Sequence, residues 1–216
     1  MRHLIILLLI TNFCFSQEWS KTELTDFASI EFPISPEKTN SNGSIYYSTS
    51  DDIGVYMVTI KDLGNPKITE SRLPEFYQGV ISGALESVNG ELLEKKEFQL
   101  NEIKGMELSY IANSNPQLPN LRHKRILVVN NNFISYEFWT FKENKQLASI
   151  NKDKFLNSIS ISAEKVIEPK KKETNSTYES GFIFGKIISY LLIIGLIIGG
   201  ILLLRKLTRK KNKNVG

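Results

Sequence analysis

The chain has 216 residues, 41% of them hydrophobic, and a formal charge of +4, which suits one domain of ordinary size with short accessory segments. The charge is uneven. Gln17 to Lys165 holds 16 Lys/Arg against 20 Asp/Glu, a net of −4, whereas Lys186, Arg205, Lys206, Arg209, Lys210, Lys211 and Lys213 stand at the C-terminal end without an intervening acid. The basic total therefore reports a tail, and the rest lacks the basic stripe that marks DNA or RNA binding.

The chain opens with Met1-Arg2-His3, the apolar run Leu4–Ile10, and then Thr11 to Gln17. A short positive region, an apolar core and a small residue at the cut make a secretory signal peptide. The expected cut follows Ser16, so residues 1–16 leave. Cys14, the only cysteine, leaves with them. Lipidation of Cys14 would need a small residue before it, and Phe13 is large. A retained, uncleaved anchor is the other alternative. A mature chain without cysteine excludes disulfides, thiol nucleophiles and cysteine-bound metals. The sequons Asn42-Gly43-Ser44 and Asn175-Ser176-Thr177 then read as chance matches.

Residues 17–165 read as an exported domain. "SIEFP" is a short strand stopped at Pro33. Residues 43–49 and 53–62 form a hairpin across Ser50-Asp51-Asp52. The second strand is apolar on both faces and belongs in the sheet interior. "SRLPEFYQGVISGALESVNG" predicts a long helix, with Ser71 as cap, Pro74 in the tolerant first turn and Asn89-Gly90 as the stop. Leu73, Tyr77, Val80, Ala84 and Val88 line one face of it. Gly79 and Gly83 weaken this helix but permit close packing. Four strands follow, over 93–101, 104–112, 122–130 and 133–142, the last two apolar on both faces, which puts them at the sheet centre, and joined by Asn130-Asn131-Asn132. "SINKDKFLNSISIS" closes the domain as a short helix, with Ile159 and Ile161 in an extended tail. The expected fold is α+β: an antiparallel sheet of about six or seven strands with one long helix and a short C-terminal helix packed on it, plus a separate C-terminal transmembrane helix.

This layout resembles the small secreted α+β sandwich of the PsbP type. The residues that carry the resemblance are "FASIEFP", "GMELSYIA", "RILVVNNNFISYEFW" and "FLNSISI", spread over 25–162. The resemblance implies a binding or assembly role more than catalysis, and assigns no functional residue.

Residues 166–180 lack apolar periodicity and read as a solvated linker. Residues 182–204, "FIFGKIISYLLIIGLIIGGILLL", are long enough to cross a hydrocarbon core of about 30 Å as a helix. The basic tail 205–216 stays on the cytoplasmic side of such a span and lies near anionic lipid. Together with the signal peptide it places the domain outside, periplasmic or extracellular, on a single-pass anchor in the cytoplasmic membrane. Gly195 and Gly199, four apart in the span, are a candidate helix-dimer seam for a homodimer.

The chemistry-bearing residues form no recognised set. His123 is the one histidine left after the signal peptide, and its neighbours Arg122, Lys124 and Arg125 offer no metal ligand. Gly79-Val80-Ile81-Ser82-Gly83 places serine one position late for a nucleophile elbow, and no nucleotide, zinc or calcium motif occurs. The sequence gives no catalytic residues, no metal and no cofactor. Along a strand, Arg122 and Lys124 face one side and His123 and Arg125 the other. They read as a solvated strand end or as a partner contact together with the exposed loop "NSNPQLPN". The function expected is a non-catalytic, membrane-anchored extracytoplasmic binding or assembly module with an envelope-protein partner. Two alternatives stay open. One is a tethered domain for a small molecule or lipid, suggested by Tyr46, Tyr56, Phe138 and Trp139. The other is a hydrolase with dispersed carboxylates.

Overall fold

A computed structural model describes residues 19–64, 68–162 and 178–187. The signal segment, most of the linker, the span from 188 onward with Gly195 and Gly199, and the basic tail lie outside the described residues. Strands run Ser20–Glu23 (β1), Ala28–Phe32 (β2), Glu37–Ser41 (β3), Ser44–Ser50 (β4) and Val55–Asp62 (β5). Helix α1, Leu73–Ser87, follows. Then come Glu91–Leu100 (β6), Ile103–Ile111 (β7), Leu121–Val129 (β8) and Asn132–Thr140 (β9). Helix α2, Lys145–Asn157, and Ser160–Ile161 (β10) complete the domain. A further helix, α3, occupies residues 178–187. Among the described residues no helix is long and apolar enough to cross a membrane.

The main sheet has seven strands in the order β3-β4-β5-β9-β8-β7-β6, every neighbour antiparallel. The two-sided apolar strands sit centrally, as expected: β9 is the middle strand, between β5 and β8. A second sheet of three strands, β1-β2-β10, was not foreseen. Its central strand β2 pairs with β1 on one side and with the last described strand, β10, on the other, and the β2–β10 contact is one that no local pattern encodes.

The layers follow from strand alternation. On one face, Met57, Leu108, Tyr110, Ile126, Phe133 and Trp139 pack against Phe76, Tyr77, Val80 and Ile81 of α1. On the other, Tyr56, Val58, Leu127, Ile134, Tyr136 and Phe138 pack against Ile30 and Phe32 of the small sheet and Phe155 and Leu156 of α2. Tyr77 ties α1 to the sheet: its hydroxyl accepts from Val128 N at 2.9 Å and donates to Lys104 O at 3.0 Å. The edge strand β6 is almost wholly exposed. Its charges (Glu91, Glu94, Lys95, Lys96, Glu97) guard it against pairing with another chain.

The chain reversals are made with asparagine. Asn42, Asn101, Asn130 and Asn131 take positive φ at hairpin turns, and Asn89 does so after α1. Asparagine tolerates this region better than other residues with a Cβ. Gly90 N then donates to Leu85 O at 2.7 Å and closes the helix end. Ser71 does not cap α1. It lies inside a 3₁₀ turn, Glu70–Arg72, and the helix begins after Arg72 without a side-chain cap.

Two ends of the sheet can be told apart. The upper end carries the turns at 42–43, 101–102 and 130–131. At the lower end, Leu121 pairs with Thr140 and Glu91 with Ile111, and Asn113 N donates to Val88 O. The loop 113–120, the end of α1 and the entry to α2 therefore lie together at the lower end.

Candidate functional site

Strand β8 places its four basic residues on two faces, as alternation dictates. Arg122 and Lys124 point toward the α1 layer, and His123 and Arg125 toward the α2 layer. The reading of a solvated strand end fails for Arg122 and Lys124, which are 2% and 1% exposed, whereas His123 and Arg125 are half-buried. From β8, Lys124 meets Glu137 of the neighbouring strand β9, and Arg122 lies on Trp139 of β9.

The α1 face holds an ionic cluster around Glu137. Lys124 Nζ sits 2.8 Å from Glu137 Oε1. Glu137 also accepts from Trp139 Nε1 at 3.0 Å, Ser135 Oγ at 3.2 Å and Tyr110 O–H at 3.5 Å. Burial alone would raise the carboxyl, but the Lys124 charge and hydrogen bond, the Trp139 N–H and the Arg122 charge hold it below the usual carboxylate range. Burial is also the main reason that the Tyr110 hydroxyl is pushed up, so it stays a neutral donor. The Arg122 guanidinium stacks on the Trp139 ring, 3.6 Å from its centroid. Its Nε and Nη1 have no hydrogen-bond partner. Two cations against one carboxylate leave this interior with one excess positive charge.

On the α2 face, Arg125 Nε donates to Glu107 Oε2 at 2.6 Å, and Nη1 donates to Leu156 O at 2.7 Å and Asn157 Oδ1 at 3.0 Å. This clamp fastens the end of α2 to the sheet. Lys96 adds a second cation to Glu107 at 3.1 Å. His123 Nδ1 lies 2.8 Å from Ser109 Oγ. Burial, with Lys152 and Lys145 nearby, pushes its pKa down to about 4. Glu107 and Glu137 lie on opposite faces and are each neutralised by a cation, so they do not form a catalytic pair. Asp51 is spent on its own turn, accepting from Ile53 N, Gly54 N and the Tyr56 hydroxyl. No group of three His, Cys, Asp or Glu suited to a metal exists among the described residues.

The aromatic candidates divide between faces as well. Tyr56 and Phe138 belong to the α2-side core, and Tyr46 and Trp139 to the α1-side core. They do not surround one pocket.

A contact foreseen by neither the linker nor the span reading lies on α1, where the end of the expected linker and residues 182–187 of the expected span pack. Helix α3 packs on it through four glycines, Gly79 and Gly83 on α1 and Gly181 and Gly185 on α3. An added methyl at Gly79 would collide with Tyr178 O, and at Gly83 with Phe182 O. At Gly181 it would collide with Phe76 O, and at Gly185 with Val80 O. Backbone therefore meets backbone along the seam. The contacts advance together along both helices, so α1 and α3 run parallel. Phe184 stacks edge-on against Phe133, centroids 4.9 Å apart, and Lys186 Nζ meets Glu86 at 2.6 Å. The signal was present in the sequence as two glycine pairs at i and i+4, one on each side of the domain's closing strands.

No protein-family profile matches the sequence, and comparison with curated proteins gives no match. Solved structures do resemble it. The fold is similar to that of cyanobacterial PsbP (CyanoP) from Synechocystis sp. PCC 6803, with TM-score 0.53, 10% identity, and coverage of 67% of this chain and 93% of that one. The Pseudomonas aeruginosa protein PA94, of unknown function, aligns over 71% of this chain and 99% of its own at TM-score 0.39 and 9% identity. The first of these likenesses gives the described domain a PsbP-like α+β fold.

Proposed function

We propose that this chain is a membrane-anchored extracytoplasmic binding or assembly module that works without catalysis and has an envelope protein as partner. One observation carries the reading. Helix α3, which leads directly into the apolar run ending at Leu204, is packed on the domain by four interleaved glycines. Such a joint fixes the domain's orientation on its anchor, which serves assembly with a neighbour and adds nothing to a freely diffusing enzyme. The PsbP-like fold supports the picture of a small rigid scaffold. In-cell crosslinking of the full chain, followed by mass spectrometry, is expected to recover one dominant envelope protein. Recovery of self-crosslinks alone would turn the reading toward a homodimer. Full replacement of the intact protein by a form lacking residues 178–216, in a strain without the native chain, would overturn the anchored module.

The tethered ligand-binding reading draws on a different observation, the unpartnered Nε and Nη1 of Arg122 beside an excess interior charge. A small carboxylate that co-purifies and raises the melting temperature would support it. A native mass without any adduct would count against it.

A further inference from the structure

We infer that the lower end of the domain lies directly on the lipid surface, with Leu92, Leu93, Phe141, Leu147 and Ile150 as its contact residues. The inference rests on the anchored reading above and goes further, because a tethered domain could equally stand clear of the bilayer.

Three observations lead there. The first is direction. Gly181 lies against Phe76 and Val80, Gly185 against Val80, and Lys186 against Gly83 and Glu86. Helix α3 therefore travels the same way as α1, toward the lower end.

The second is length. At Ile187 the chain has come to within roughly one helical turn, about 5.4 Å, of the last residues of α1. Residues 188–204 supply 17 positions before Arg205. As a helix they would cover about 26 Å at about 1.5 Å each, against a hydrocarbon core of about 30 Å. No residue is left over for a spacer, so the bilayer must begin where α1 ends.

The third is the surface itself. Outside α3, the exposed large apolar side chains among the described residues are Ile34, Leu92, Leu93, Phe141, Leu147 and Ile150. All but Ile34 lie in segments that begin at the lower end. Leu92 and Leu93 open β6, Phe141 follows the last residue of β9, and Leu147 and Ile150 face outward from the first two turns of α2. Ile150 is 77% exposed and Leu147 67%, a high cost in water for side chains three apart on one helix face. Lys142 and Lys145 flank them with long stems suited to the headgroup level. A lipid interface covers such a rim without demanding shape complementarity, and the anchor delivers the rim to it.

The test uses the full chain carrying Cys14→Ser, so that one introduced thiol is the sole label site. An environment-sensitive fluorophore is placed by L147C, L93C or I150C at the lower end, and by N40C toward the upper end. The protein is reconstituted into phosphatidylcholine vesicles with and without shallow nitroxide lipid. Labels lodged at the headgroup–acyl boundary should be quenched at least about twofold more than the label at Asn40. Co-flotation of the chain with equal quenching at all four sites overturns the surface and leaves the anchor standing. Failure of the full chain to float with vesicles overturns both.

Discussion

Replacing Gly83 by alanine adds one methyl group to the seam between α1 and α3, and the sign of its effect should depend on whether α3 is present. The new Cβ would collide with Phe182 O and stand 2.8 Å from Phe182 C and 2.9 Å from Lys186 N. All three are backbone atoms, so no rotamer change relieves the contact and the helices must part. Forced overpacking of this kind costs about 1–3 kcal/mol. Against it stands helix propensity, since glycine in a helix interior is worse than alanine by roughly 0.5–1 kcal/mol. A chain ending at Ile187 should therefore lose about 1–2 kcal/mol on Gly83→Ala. A chain ending at Ser162, where the site opens to solvent, should gain about 0.5–1 kcal/mol. Urea unfolding of the four proteins reads both numbers, and melting temperatures should move by about 2–4 °C per kcal/mol in a domain of this size. Equal shifts in the long and short chains would refute the docked helix.

Other expectations follow from the interior charges. Glu137→Gln strips Lys124 of its buried counter-ion and should cost about 3–5 kcal/mol in urea unfolding; a loss below 1 kcal/mol would mean that water reaches the cluster. Arg122→Met keeps the apolar stem on Trp139 while removing the excess charge and its unpaired N–H groups. It should therefore destabilise the domain much less than Glu137→Gln does, and a larger loss would reveal a missing partner for the guanidinium. Arg125→Ala breaks charged hydrogen bonds to Glu107 and the α2 terminus, each worth about 1.5–3 kcal/mol, and hydrogen exchange should rise selectively at residues 153–157. His123 titrates near 4 in the folded state against 6.5 unfolded, because burial disfavours its charged form. The unfolded chain takes up the proton first, so stability falls as pH drops from 6.5 toward 4. His123→Gln should flatten that part of the curve, leaving the steeper loss at lower pH, where the depressed carboxyls of Glu137 and Glu107 finally protonate.

Central elements were readable from sequence because their patterns are local. The two-sided apolar runs in β5, β8 and β9 announced the middle of the sheet, and the stripe from Leu73 to Val88 announced a helix lying on it. Strand β3 was missed although Asn42-Gly43 is a strong hairpin signal, because "EKTNS" has no apolar alternation to mark the edge strand it forms. Strand β1 was not read, and β10 was read only as an extended tail without a partner, since each exists as a strand only through its pairing with β2. The charged stretch of β8 misled for a related reason. Alternation assigned the correct faces to Arg122 and His123, but only the sheet order reveals that both faces are covered and that Glu137 waits beside Lys124. The glycines of α1 were legible as an invitation to close approach. Their partner was hidden in a segment whose hydrophobicity pointed to lipid.

The strand order has a bearing on how the domain assembles. Strands β3, β4 and β5 form one local meander and β6 to β9 another, and only the β5–β9 pairing joins them across the sheet. That pairing links residues about 75 positions apart, such as Val58 with Tyr136, and non-local pairing of this kind is the slow part of folding. A chain emerging from its N-terminus thus exposes β5, apolar on both faces and open along one edge, until β9 arrives to cover it. The interval between those two strands is when this protein is most vulnerable to aggregation, and a helper that shields one open edge would be enough to protect it.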